Sequence, residues 1–190
     1  MTRVPLIDPA TATGAAAEQL AATRQTLGVI PNMATAMANS PAALQGFLGL
    51  FGALKQGVLP AATQERIALA VAEANGCAYC LSAHTMVSRN AVKLPEEEIT
   101  AARRGHSLDA KSEAVLHLAL AITRNRGPVD KETFDAARQA GLSDEEIVEV
   151  IANVARNIFT NYVNEALDVD VEWPLVTPFE RTASSATREA

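Results

Sequence analysis

The sequence predicts an all-α protein, and three observations predict it. Aromatic residues make up only 4% of the 190 residues and alanine is abundant. That composition suits helices packed through small side chains better than a sandwich rich in aromatic and β-branched residues. Apolar residues recur three and four apart through most of the chain, the period of one helix face. Ser, Asp, Pro and Gly stand at the intervals where such helices start and stop. Hydrophobic residues at 48% and charged residues at 20% are typical of a water-soluble folded core.

Residues 1–12 read as an extended arm, because Pro5 and Pro9 lack donors and bias the residues before them away from helix. A short helix from Gly14 to Leu27 follows, and Gly28, Pro31 and Asn32 break it. Ser40 and Pro41 provide an N-cap and a first helical position for a helix to Lys55 that buries Leu44, Phe47, Leu48, Phe51 and Leu54. Gly57 stops it. Pro60 or Thr63 opens the next helix, with an apolar stripe of Ile67, Ala70, Val71 and Ala74, which Asn75-Gly76 ends. A fresh helix runs from Cys77 to about Asn90. Another begins at Pro95, with Glu96, Glu97 and Glu98 facing the positive end of its dipole, and ends at Gly105. Helices from Asp109 to Asn125, Asp130 to Gln139 and Ser143 to Leu167 complete the set, the last opening with Ser143 and Glu146 in capping-box spacing. The tail from 168 to 190 carries Trp173-Pro174 and Pro178, then a Ser/Thr/Ala-rich end expected to fray.

Thr63-Gln64-Glu65-Arg66-Ile67 resembles Ser143-Asp144-Glu145-Glu146-Ile147, which sets Cys77, Cys80 and His84 opposite Asn157, Thr160 and Asn164. A degenerate internal repeat and two ordinary capped amphipathic helices both account for this.

A net charge of -6 and a pI near 5.1 leave no basic face for counterion-release binding, so neither nucleic acid nor an anionic membrane is an expected partner. The first nine residues hold Arg3, Pro5 and Asp8 in place of an apolar leader, and no apolar run reaches the roughly 18 residues that span a bilayer. The expected location is the cytoplasm. In that reducing compartment a cysteine pair points to catalysis, redox chemistry or metal binding rather than a structural bridge.

Both cysteines lie in Gly76-Cys77-Ala78-Tyr79-Cys80-Leu81-Ser82-Ala83-His84. Helical spacing puts Cys77, Cys80 and His84 in one row, and a helix starting after Asn75-Gly76 places Cys77 in its first turn, where the dipole favours thiolate. A CxxC pair can cycle between dithiol and disulfide, because a sulfenic acid on one sulfur is captured by the other. Two carboxylates compete to complete a proton relay with His84: Glu65 on the preceding helix, and Glu73, four residues before Cys77. Periodicity does not choose between them. His106, beside Arg103 and Arg104, reads as a solvated helix-end cation. His117, among Leu116, Leu118 and Leu120, has no acid or thiol at useful spacing. Trp173 reads as an anchor for the tail.

Glu65, an eleven-residue spacer, then Cys77-x-x-Cys80-x-x-x-His84, with Asn75-Gly76 just before it, resembles the signature of the alkylhydroperoxidase D family within the carboxymuconolactone decarboxylase superfamily. The motif region covers residues 40–105. Gly28-Val29-Ile30-Pro31-Asn32, Asn161-Tyr162 and Trp173-Pro174 resemble its peroxidase-related subgroup. The resemblance implies an AhpD-like helical bundle as one domain over residues 1–190, with a C-terminal helical half at 109–167. It also implies a homotrimer or a hexamer.

By the same resemblance Cys80 attacks the peroxide, Cys77 resolves it into a disulfide, His84 acts as base and Glu65 relays protons. No bound cofactor is implied, and a lipoyl-bearing or thioredoxin-like dithiol regenerates the thiols. One position departs: well-characterised members have a histidine before the second cysteine, where this chain has Tyr79. A tyrosine is no base near neutral pH, although its hydroxyl can donate to a peroxide oxygen. Two other readings remain: a lactone or decarboxylase enzyme of the same superfamily, and a metal module using Cys77, Cys80 and His84.

Overall fold

A computed structural model describes residues 1–179, and the regular elements among them are all helices. The order is α1 (Gly14–Leu27), α2 (Asn32–Met37), α3 (Pro41–Leu54), α4 (Ala61–Asn75), α5 (Ala78–Val87), a π-helical turn (Ser88–Val92), α6 (Glu96–Arg103), α7 (Ala110–Asn125), α8 (Lys131–Gln139) and α9 (Asp144–Leu167). The Ser/Thr/Ala-rich end expected to fray lies outside the described residues. No described helix is long and apolar enough to cross a membrane.

The local start signals act as read. Ser40 accepts the Ala43 amide with Pro41 in the first turn, Asp109 and Asp130 cap α7 and α8, and Ser143 and Glu146 form a reciprocal capping box on α9. Gly76 ends α4 at φ +71°, with the Gly76 and Cys77 amides donating back to Glu73 and Ala72 at 3.1 and 2.9 Å. This double bond is the Schellman arrangement, and its left-handed residue favours glycine.

Two local expectations differ from the fold. Where Pro31 and Asn32 predict a break, a six-residue helix, α2, forms instead, with Met33 to Met37 all buried. Its start is held from far away in sequence: Glu172 accepts the Asn32 amide and the Tyr79 hydroxyl accepts the Met33 amide. The helix expected to run from Cys77 to Asn90 gives way to the π turn at Ser88. Of the predicted apolar stripes, Phe51 is only partly buried and Ala74 faces outward.

The central element is α4, which packs against α5, α6, α7 and α9. Its faces divide the interior. One apolar cluster gathers α1, α2, α3 and α5 around Leu20, Leu44, Phe47 and Leu81; a second joins α4 to α7, α8 and α9 through Ile67, Leu118 and Val150; a third joins α4 to α6 and α7 through Leu69, Ile99 and Leu116. Each fully buried aliphatic side chain stabilises the bundle by about 1.5–3 kcal/mol relative to exposure. The chain after α9 runs back as a strap. Arg3 and Leu167 share a backbone hydrogen bond, Thr2 pairs with Asp170, and the Val176 and Phe179 amides bond to Ser82 and Glu73. The N-terminal arm is thereby fastened to the end of α9 and the strap, the strap to α5 and α4, and Trp173 packs partly buried against the first cluster.

Candidate functional site

The break at Gly76 sets the geometry of the thiols. Cys77 is the N-cap of α5 rather than part of its first turn, and its Sγ accepts the Cys80 amide at 3.3 Å. Cys80 follows in the first turn with its Sγ 2.8 Å from Cys77 Sγ. Both sulfurs are free thiols and both are buried, at 0% and 3% exposure.

The two thiols differ electrostatically. Burial opposes a charge on Cys80, but the hydrogen bond from Cys77, the nearby His84 charge and the Asn164 amide outweigh it and bring its pKa down to about 7. Cys77 moves the other way: its hydrogen bond to Cys80, burial and the repulsion of charge on Cys80 push its thiol far up. As pH rises through about 7 the pair loses its first proton from Cys80 and keeps the second on Cys77.

His84 lies one turn beyond Cys80, and its Nδ1 is 2.8 Å from Glu65 Oε2 across the α4–α5 contact. Burial alone would lower its pKa, yet the Glu65 charge and hydrogen bond raise it. Glu73, the other carboxylate left open by periodicity, is engaged elsewhere. It pairs with Arg103 Nε at 2.8 Å and accepts the Phe179 amide of the strap. Beyond Gly76 the chain turns, so a carboxylate four residues before Cys77 lands on a different face.

The Tyr79 hydroxyl is also committed. It donates to Glu172 Oε1 at 2.8 Å and accepts the Met33 amide at 3.1 Å, and burial pushes its pKa up. Its single proton therefore fastens the strap and its oxygen holds the start of α2, rather than facing the thiols.

α9 supplies groups absent from the sequence-based set. Asn164 Nδ2 donates to Cys80 Sγ at 3.2 Å, and Asn161 Oδ1 accepts from Asn75 Nδ2 at the α4 break at 2.8 Å. Arg156 is 4% exposed, its guanidinium sits 5.3 Å from the Phe51 ring, and its charge is felt by Glu65 and His84. The signal for these residues is the inward face of α9 changing from Ile147, Val150 and Val154 to Asn157, Asn161 and Asn164 at unchanged spacing. Asn161 Nδ2 and Asn164 Oδ1 are buried without a hydrogen-bond partner among the described residues. Such orphaned groups mark polar capacity for a small ligand.

Cys77, Cys80 and His84 do not converge on one coordination sphere; among the described residues the group that does is His106, Glu113 and His117. This corrects two readings. The donor atoms of Cys77, Cys80 and His84 do not gather as those of a metal module do. His117, which from sequence has no acid at useful spacing, has Glu113 one turn earlier on α7, with 3.2 Å between Nε2 and Oε1.

The carboxymuconolactone decarboxylase family model matches residues 41–124, from α3 through α7. No curated protein sequence matches the chain. Among solved structures, a peroxidase-related protein from Ralstonia eutropha JMP134, described as an alkylhydroperoxidase AhpD core, superposes with a TM-score of 0.78. It is 23% identical over 90% of this chain and 92% of its own. A peroxidase-related protein from Silicibacter sp. TM1040 has a TM-score of 0.75 at 24% identity, covering 89% and 91% of the two chains. The debrominase Bmp8 is 28% identical with a TM-score of 0.68, covering 83% and 86%. A cysteine-to-alanine variant of Bmp8 in complex with 2,3,4-tribromopyrrole has a TM-score of 0.71 at 26% identity, covering 90% and 94%.

Proposed function

This chain is an AhpD-like member of the carboxymuconolactone decarboxylase superfamily, and we propose from that premise that it is a thiol-dependent reductase of hydrogen peroxide or organic hydroperoxides. The observation that carries the reading is the asymmetric pair: Cys80 poised as thiolate at about pH 7, with Cys77 Sγ 2.8 Å away holding the proton.

The Cys80 thiolate attacks one peroxide oxygen and the O–O bond breaks. The leaving alkoxide takes a proton from His84, whose Nδ1 is held by Glu65 so that Nε2 is the exchanging nitrogen. Cys80 is now a sulfenic acid. The Cys77 sulfur attacks it, water leaves with the proton of Cys77, and a Cys77–Cys80 disulfide remains. An external dithiol, lipoyl-bearing or thioredoxin-like, returns the two electrons. Arg156 and Glu65 attract each other beside His84, the unpaired Nδ2 of Asn161 donates to a peroxide oxygen, and the unpaired Oδ1 of Asn164 accepts the hydroperoxide O–H.

The test is stopped-flow mixing of the reduced protein with hydrogen peroxide and cumene hydroperoxide, followed by mass spectrometry. One Cys77–Cys80 disulfide per peroxide consumed supports the reading; no disulfide and no thiol loss sinks it. A lactone decarboxylase would keep its activity in Cys80→Ser, whereas this reductase would not.

A second thiol chemistry is favoured by the higher identity to the debrominase, 28% against 23% for the first peroxidase-related protein. The same two electrons would replace a carbon–bromine bond by carbon–hydrogen, releasing bromide and leaving the same disulfide. Bromide release from 2,3,4-tribromopyrrole by the reduced protein separates it from peroxide reduction.

A homotrimer or hexamer fits one further feature. Val148, Ile151, Phe159 and Tyr162 form an exposed apolar row along the outer face of α9. Light scattering coupled to gel filtration reads the assembly directly, and a monomeric mass rejects it.

A further inference from the structure

We propose that His106, Glu113 and His117 form a binding site for a divalent first-row transition-metal ion, with zinc as the reference ion. It lies on α7 and the loop before it, apart from the thiols. His106 Nδ1 is 2.9 Å and His117 Nε2 3.2 Å from the same oxygen, Glu113 Oε1, and the three donor atoms lie within 4.8 Å of one another. A tetrahedral zinc with nitrogen and oxygen ligands near 2.0–2.1 Å needs donors about 3.3 Å apart. Small rotations of exposed side chains cover the difference, since His106 and His117 are 64% and 55% exposed. Two imidazoles and one carboxylate are a donor set that suits zinc and its first-row neighbours better than magnesium or calcium.

The ligands are held before any ion arrives. Glu113 and His117 are one turn apart on a straight helix, so their spacing is fixed by α7 itself. The second carboxylate oxygen of Glu113 accepts the Ser107 amide, which orients the first toward the histidines. His106 is brought over by Gly105 at φ +82°, a left-handed backbone that favours glycine and where a Cβ would stand 2.3 Å from Leu120 Cδ1 and push that side chain aside. The buried Glu98 anchors the far side of the loop through the Leu108 amide and the Ser107 hydroxyl.

Three protein ligands leave a coordination position free. Glu113 and His117 also line a cleft of about 360 Å³ between α7 and α8, whose wall carries Asp130 and Glu132. These carboxylates make the approach favourable to a cation. The bound ion would clamp the loop 105–109 onto α7.

The decisive experiment uses the full chain with both thiols replaced, the Cys77→Ser, Cys80→Ser double variant, so that sulfur cannot compete for the metal. Zinc titration by calorimetry and cobalt titration by visible absorption should each give one ion per chain, and zinc should raise the melting temperature. Adding His106→Ala or His117→Ala should weaken zinc binding at least tenfold and remove the thermal shift. Circular dichroism of these exposed-residue variants checks that the helices remain. Failure of the thiol-free chain to bind zinc or cobalt, or binding unchanged by His106→Ala, overturns the site.

Discussion

The two halves of the proposed repeat begin alike and then diverge. α4 and α9 both open on a short polar run followed by an isoleucine, and both pack into the same interior. α4 stops at Gly76 and the chain restarts as α5, whereas α9 continues for 24 residues without interruption. The consequence is chemical. In α9 the residues opposite Cys77 and Cys80 are tied into the helix: Asn157 donates to the Asn153 carbonyl and Thr160 to the Asn157 carbonyl. In α5 the restart leaves amides unpaired, so the Cys77 sulfur becomes a cap and the Cys80 sulfur sits in the field of a helix start. The intact helix supplies the donor that the broken one uses, since Asn164, opposite His84 in the repeat, reaches Cys80 Sγ. A helix break thus sets both sulfurs at a helix start, and an unbroken neighbour donates to one of them.

The largest effects should come from removing what the broken segment alone possesses. Cys80→Ser should reduce peroxide consumption to background, and Cys77→Ser should consume one peroxide and stop with a sulfenic acid that dimedone traps. His84→Gln or Glu65→Gln should slow the peroxide step by about 10²–10⁴-fold, the usual range for a lost general acid or base. Equal losses in both variants would show that the pair acts as one unit. Glu73→Gln should leave the rate within about twofold, because Glu73 faces Arg103 and the strap; a loss as large as that of Glu65→Gln would overturn the assignment of the relay.

The next effect comes from making α4 and α5 more like α9. In Gly76→Ala a Cβ meets nothing within 4 Å, so space is no obstacle, but the φ of +71° is. A left-handed alanine costs about 1–2 kcal/mol. For a chain of this length that lowers the melting temperature by roughly 2–8 °C. Gly76→Asn, which tolerates the same conformation better, should recover part of the loss. If Gly76→Ala melts as the parent does, the break is not held by backbone conformation.

Much of this was legible because capping and periodicity are local. Ser40, Asp109, Asp130 and Ser143 announce their helices within four residues, and the Cys77, Cys80, His84 row needs only the helical repeat. What escaped depends on distant partners. α2 exists because Glu172 and Tyr79 satisfy its first amides, and a Pro-Asn pair gives no hint of that. The choice between Glu65 and Glu73 rests on the angle taken at Gly76, and Asn164 touches Cys80 from 84 residues away. The run of asparagines on the inner face of α9 was the readable sign, since polar residues at apolar spacing need buried partners. Tyr79 shows the reverse case: its place in the motif suggests the pocket, and its partners put it in the scaffold.

The smallest effect tests the link between the two halves. Asn164 Nδ2 is 3.2 Å from Cys80 Sγ and donates to its charged form more strongly than to the thiol. Hydrogen bonds to charged groups contribute about 1.5–3 kcal/mol, and a sulfur acceptor belongs at the low end. One pKa unit corresponds to about 1.4 kcal/mol. Asn164→Ala should therefore raise the Cys80 midpoint by roughly one unit from about 7. The sign follows from which form is favoured: losing a donor to the thiolate means a higher pH is needed to form it. Ultraviolet thiolate absorbance against pH measures the midpoint, and alkylation by iodoacetamide should slow near neutrality yet match the parent well above both midpoints. Asn164→Asp should move the midpoint further, because a carboxylate there repels the sulfur charge. A uniform drop in alkylation at every pH would assign Asn164 to packing alone, and the unbroken helix would then have no part in making Cys80 reactive.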